Sequence, residues 1–156
     1  MPTNAAGLLL FRHRPGLEVL LVHMGGPFWA KKDEGAWSIP KGEIADGEDP
    51  LSAARREFEE ETGARPPGEC LPFDPVRQAS GKVVHAWAVE GDFDPAALRS
   101  NTFSMEWPPR SGRRQEFPEV DLADWFSIEN ARRKIVKGQI PLLDQLPDIL
   151  AKRSGG

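Results

Sequence analysis

The chain has one cysteine, Cys70, which excludes an internal disulfide and fits a reducing compartment, where it would serve as a small buried hydrophobe. No apolar run approaches the roughly 20 residues of a membrane span. Near the N-terminus the longest is four residues, Leu8 to Phe11, too short for the apolar region of a signal peptide. The expected location is therefore the cytoplasm, with no membrane partner. Positive charge is not in excess: 20 Lys and Arg face 24 Asp and Glu, giving a net charge of -4 and a pI near 5.4. That balance argues against a general nucleic-acid-binding surface and against stable nucleic-acid binding. The D-x-D-x-D-G ligand loop of an EF-hand is missing, and no GKS or GKT follows a glycine turn as a P-loop requires. Internal repeats and linkers are also lacking, so 156 residues read as one domain, 1–156, with one core.

What is present is concentrated between Gly42 and Ala64, GEIADGEDPLSAARREFEEETGA. A glycine-rich turn leads into a helix expected over Pro50 to Thr62. Asp49 supplies a side-chain cap, Pro50 suits the first helical position, and Gly63 suits the left-handed stop. Leu51, Ala54, Phe58 and Thr62 recur at three- and four-residue steps and form the face that packs on a sheet. Glu57, Glu60 and Glu61 fall within an arc of roughly 100°. A Glu-rich helix is most often a solvated face, but such helices are usually laced with i,i+4 lysines. None occurs from Asp49 to Gly63. A hard divalent cation accounts for the clustering, since Mg²⁺ takes carboxylate oxygens and fills its other positions with water and substrate phosphates. Glu57 and Glu61 are expected between the buried stripe and the solvent face.

Elsewhere the patterning predicts strands at Gly7–Arg12, Leu17–Met24 and Trp37–Pro40, with a turn at Lys41–Gly42. Arg65–Glu69 reads as a turn. Two more strands are expected near Leu71–Ala79 and Lys82–Glu90, then a loop-rich 91–115 and a final strand with adjoining loop at Glu116–Phe126. Ser127 caps a helix through about Lys137, and Pro141 begins another ending near Lys152 before a frayed RSGG tail. Strands, an inserted helix, more strands and terminal helices give a mixed α/β (α+β) sheet with helices on its faces.

Gly42, Glu48, Arg56, Glu57, Glu60, Glu61 and Gly63 stand at the spacing of a known signature, and the segment resembles that of the Nudix hydrolases. At usual residue frequencies seven such matches arise by chance on the order of 10⁻⁹ per start position. Ala64 departs mildly, standing where the family usually has a larger aliphatic residue. The resemblance implies an α/β/α sandwich and hydrolysis of a phosphoanhydride in a nucleotide. It also implies Mg²⁺, with Mn²⁺ as a substitute, held by Glu57, Glu60, Glu61 and the Gly42 carbonyl. Arg56 would pair with Glu48 and hold the helix against the loop; Glu48 and Gly63 are structural.

The resemblance leaves the base that activates water open between a carboxylate of the motif and one in a loop beyond it. For the outside carboxylate the expected residue, also a metal ligand, is Glu119. It precedes Trp125 by six residues, as in asymmetric diadenosine tetraphosphate hydrolases, and Glu116 and Glu106 are alternatives. Lys41 is a candidate for a substrate phosphate. Phe28 and Trp29, in a Gly/Pro loop, are candidates for stacking a nucleobase, with core packing the competing role. Lys31, Lys32, Arg110, Arg113 and Arg114 are candidates for a long phosphate chain, while His13, His23 and His85 lack metal-ligand spacing. GAWSIPKGE resembles the lead-in of both mutator-T-type enzymes and dinucleoside polyphosphate hydrolases, so the substrate stays open between a nucleoside triphosphate and a dinucleoside polyphosphate. A nucleoside diphosphate sugar hydrolase, a messenger-RNA cap hydrolase and a non-catalytic nucleotide sensor are the alternatives. The oligomeric state is open between monomer and homodimer.

Overall fold

The run Leu8-Leu9-Leu10-Phe11 is buried on both faces, as a central strand between two helical layers must be. In the computed structural model, which describes residues 3–66 and 68–155, this run lies in β1, Asn4–His13. Its neighbours are β2, Leu17–Met24, antiparallel, and β7, Val83–Glu90, parallel. The main sheet runs β10-β2-β1-β7-β5, with β5 at Cys70–Pro72 and β10 at Val120–Ser127. Three short strands attach to it: β3, Trp37–Ser38, on β2; β4, Lys41–Glu43, on β1; and β6, Val76–Arg77, on β7. β2 and β4 share one edge of β1, β2 at Phe11–His13 and β4 at Ala5–Gly7.

Helix α1, Pro50–Thr62, covers one face. Ala53, Ala54 and Phe58 pack there against Ala6, Leu8, Leu10, Leu20 and Val22. Full burial of a side chain such as Phe58 stabilises the fold by about 1.5–3 kcal/mol. α2, Ile128–Lys134, and α3, Ile140–Gly155, cover the other face, where Leu142, Leu143 and Leu146 meet Leu9, Phe11, Val19 and Leu21. This is the expected mixed α/β sandwich. The α1 caps follow the sequence: Asp49 accepts from the Ser52 N–H, and Gly63 sits at φ 82° with its N–H on the Glu59 carbonyl. No helix among the described residues is long and apolar enough to cross a membrane.

Several boundaries differ. Lys41–Gly42 is not a turn but part of β4, because the free edge of β1 pairs it; the turn falls at Ala45–Glu48. The strand expected over Leu71–Ala79 divides into β5 and β6. The loop-rich 91–115 contains a 3₁₀ turn, Pro95–Ala97, and most of a separate hairpin, β8, Thr102–Glu106, with β9, Arg114–Pro118. α2 stops at Lys134 because Ile135 turns extended, leaving a 3₁₀ turn at Lys137–Gln139. α3 continues past Lys152 to Gly155, into the tail expected to fray. Gly156 of that tail, and Pro67 of the Arg65–Glu69 turn, lie outside the described residues. Cys70 is half-buried, with an Arg55 guanidinium nitrogen 3.5 Å from its sulfur.

Candidate active site

Three carboxylates converge at the edge of α1. Glu57, Glu61 and Glu119 each present an oxygen within 4.8 Å of the others. Glu57 and Glu61 are 8% exposed, nearer the core than the intermediate position expected of them. Their four-residue step keeps them on one helical face. Glu119 arrives from the junction of β9 and β10, and backbone bonds hold it. Its N–H donates to the Asn101 carbonyl, and its carbonyl accepts from the Gly25 N–H, each at 2.9 Å. The Asn101 N–H in turn donates to the Glu60 carbonyl, and the Arg99 N–H to that of Thr62. The last turn of α1, whose carbonyls lack helical partners, is thus tied to the segment that carries Glu119.

Two glycines make the convergence possible. A Cβ at Gly42 would lie 2.1 Å from the Glu57 carboxyl carbon, so the carboxylate fills the space a side chain would take. At Gly25 a Cβ would meet the Pro118 carbonyl oxygen at 2.0 Å. The Lys41 N–H donates to Glu61 Oε1 at 3.3 Å.

Arg56 organises the outer side. It grips Glu48 through two bonds, Nε to Oε2 at 2.8 Å and Nη2 to Oε1 at 2.9 Å. Nη1 donates to Glu57 at 2.8 Å and to Glu60 at 3.1 Å, and Nη2 to the Glu43 carbonyl. Glu60 stands beside the three-carboxylate cluster, sharing Nη1 with Glu57, and lines a cleft with Arg56, Glu59, Gly63, Arg99 and Asn101.

The electrostatics separate these acids. Burial, with repulsion from Glu119 and Glu57, pushes Glu61 up to about 8. Burial also raises Glu57 and Glu119, the latter repelled by Glu60. Glu48 moves the other way, to about 2, because Arg56 and the Ala45 N–H stabilise its ionised form. Lys41 is lowered by burial and by Lys82, with Glu61 opposing. Hard oxygen donors, crowded, desolvated and drawn toward protonation, are a donor set suited to a small divalent cation.

The remaining candidates are dispersed. Phe28 is 62% exposed and meets Trp107 edge to face, ring centres 5.6 Å apart. Trp29 packs against the core on the α3 side of the sheet, while Lys32 lies over its ring. Arg110, Arg113 and Arg114 stand at the tip of the β8–β9 hairpin, and Glu106 and Glu116 are exposed on that hairpin, outside the three-carboxylate cluster. His23 is buried between Asp121 and the Lys32 carbonyl, at 2.7 and 2.6 Å. Sequence reasoning missed Asn101, which acts through its backbone and leaves no side-chain signal. It also missed Gln139, fully buried and bonded to the Ile39 N–H at 3.0 Å, which fixes the strand leading to Lys41. Trp107 was legible: Phe103, Met105 and Trp107 alternate with polar residues at the period of a strand.

The NUDIX domain family profile matches residues 1–146. An RNA pyrophosphohydrolase of Rhodospirillum rubrum is 43% identical over 162 residues, covering 96% of this chain and 92% of its own. Among solved structures, an Ap4A hydrolase of C. elegans superposes with a TM-score of 0.65 at 23% identity, over 95% of this chain and 98% of its own. The NUDIX domain of Shewanella oneidensis NrtR, complexed with ADP ribose, gives 0.66 at 19% identity, over 96% and 89%. At those identities the two structures speak for the fold alone.

Proposed function

The chain belongs to the NUDIX hydrolase family, and we propose that it is a Mg²⁺-dependent nucleotide pyrophosphohydrolase, one domain spanning 1–156, acting in the cytoplasm. The observation that carries this is the meeting of Glu57, Glu61 and Glu119 within 4.8 Å. These residues, with Glu60 and the Gly42 carbonyl, would hold Mg²⁺, or Mn²⁺ in its place. When bound, the cation neutralises charge on the phosphates and polarises the bond to be broken.

The protein's own groups do the rest. Glu119 accepts the proton of the attacking water as its oxygen bonds to phosphorus, and the anhydride P–O bond breaks to release a phosphate leaving group. Arg56 fixes Glu57 and Glu60 so that neither carboxylate must be reoriented during reaction. Glu48 anchors Arg56, and Gly63 ends the helix at the right residue. Lys41 would meet a substrate phosphate as a point charge. Phe28 offers a ring to the base; Trp29, packed on the core, supports its loop.

The substrate is a nucleotide phosphoanhydride: a nucleoside triphosphate, a dinucleoside polyphosphate, or the end of an RNA. The RNA form is favoured by one observation, the 43% identity to an RNA pyrophosphohydrolase over nearly the whole chain. Interior RNA linkages are phosphodiesters, so the reactive bond would lie in a 5′-polyphosphate end. The test is to incubate wild type and Glu60→Gln with Mg²⁺ and a panel of these substrates. A 100-fold loss in the variant, with products that name the bond, supports the reading. Tight binding without turnover by the wild type replaces it with a sensor.

A further inference from the structure

Resting on the RNA form of that reading, we propose that the β8–β9 hairpin is an arm that holds the chain of a 5′-triphosphorylated single-stranded RNA. Phe28 and Trp107 stack its leading bases, and Arg110 and Arg113 meet its backbone phosphates. The hairpin forms its own two-stranded sheet, with Thr102 opposite Pro118 at its base and Glu106 opposite Arg114 near its tip. One face carries Phe103, Met105, Trp107 and Phe117, all partly buried; the other is polar. The Gly25–Phe28 loop lies along the apolar face, with the Phe103 ring 2.9 Å from where a Cβ of Gly26 would stand and Phe28 against Trp107. Phe28 remains 62% exposed in this arrangement, and among the described residues Leu122 is the only other large hydrophobic left so open. A pair of aromatics with one ring open to solvent is a stacking platform for a base of any sequence.

The tip adds charge. Residues 107–114, WPPRSGRR, carry three arginines and no acid, within a chain of net charge -4. Arg114 is engaged by Ser104, through Nε to Oγ and Nη2 to the carbonyl. Among the described residues the side chains of Arg110 and Arg113 make no hydrogen bond or ion pair, and both residues are exposed. Their loop is nonetheless fixed, since the Arg110 N–H donates to the Glu106 carboxylate at 2.8 Å and the Trp107 N–H to the Arg113 carbonyl at 2.9 Å.

The reach of the arm is what selects the ligand. Glu119 follows Pro118 at the base, whereas Trp107, with Phe28 against it, and Arg113 stand level with each other just past the Glu106–Arg114 pair, five register steps out and about 17 Å away, and Arg110 lies in the loop beyond them. A triphosphorylated RNA spans that distance, its reactive phosphates at the base and its bases and backbone phosphates together at the tip. A mononucleotide ends before the tip. A dinucleoside polyphosphate carries all its phosphate between its two nucleosides and none beyond the bases.

The experiment compares wild type, R110A/R113A, W107A and W107F on a 5′-triphosphorylated ten-nucleotide RNA, on ATP and on diadenosine tetraphosphate, over a range of salt. The expected result is that R110A/R113A lowers the ratio of RNA to ATP kcat/KM at least tenfold. The slope of log kcat/KM against log salt should flatten by roughly 0.7 for each phosphate that the variant no longer neutralises. W107A should lower the same ratio, and W107F should restore it. An unchanged ratio and slope, or a wild type that prefers ATP or diadenosine tetraphosphate to the RNA, overturns the arm while leaving the hydrolase reading intact. If no substrate is cleaved, the hydrolase reading fails. Fluorescence anisotropy of the labelled RNA then decides the arm alone: equal affinity of wild type and R110A/R113A overturns it.

Discussion

The Glu57 carboxyl carbon sits 2.1 Å from where a Cβ of Gly42 would be. Glycine at 42 is therefore a demand of the carboxylate rather than of the backbone, which is strand there and pairs with Ala6. Gly42→Ala should expel Glu57 from the cluster. The expected outcome is turnover slowed at least 100-fold, with destabilisation of about 1–3 kcal/mol from overpacking. Steady-state kinetics and thermal melts check it, and near-normal turnover would show that Glu57 can act from another position.

Arg56 and Glu48 form a two-bond pair that a lysine cannot copy. Arg56→Lys should keep the charge yet slow turnover tenfold or more, because Glu57 and Glu60 lose the fork that spaces them. Glu48→Gln should have a smaller effect in the same direction. If Arg56→Lys behaves as wild type in steady-state kinetics, the pair serves only the surface.

The buried acids predict an inverted pH response in the absence of metal. Glu61 rises from 4.5 to about 8 on folding, so the folded chain holds its proton over an interval where the unfolded chain has lost it. Its contribution makes stability fall as pH rises from about 4.5 to about 8. Melts in EDTA should show this fall, and Glu61→Gln should flatten it. A divalent cation competes with that proton, so the rise in Tm on adding Mg²⁺ should be larger at about pH 8.5 than at about pH 6 and should shrink in Glu61→Gln. A metal-induced shift independent of pH would remove Glu61 from the ligand set.

Glu119 depends on a close backbone approach at Gly25, where a Cβ would strike the Pro118 carbonyl. Gly25→Ala should displace Glu119, lowering kcat more than it changes KM. Glu119→Gln should do the same with the backbone intact. Turnover of Glu119→Gln within about threefold of wild type would assign the base elsewhere.

The parts legible in the sequence are those whose physics is local. α1 declared itself through Asp49, Pro50, the apolar step to Phe58 and the stop at Gly63, and the structure has those boundaries. β1 declared itself as an unbroken apolar run. The parts that were not legible depend on partners distant in sequence. β4 is a strand only because the edge of β1 lies free beside Gly42. Glu60 carries the same residue type as Glu57 and Glu61, and the sequence groups the three; in the structure the third carboxylate meeting Glu57 and Glu61 is Glu119, while Glu60 stands beside them and shares Arg56 with Glu57. The hairpin was hidden by its Pro-Pro and Ser-Gly tip, although Phe103, Met105 and Trp107 already alternated.

The peptide of Asn101 touches both the end of α1 and the base of Glu119. Opening of that short segment would release the helix terminus and the outer carboxylate in one event. The amides of Asn101 and Glu119 are therefore expected to exchange with solvent at a common rate, and the acids of the cluster to assemble or scatter as one cooperative unit.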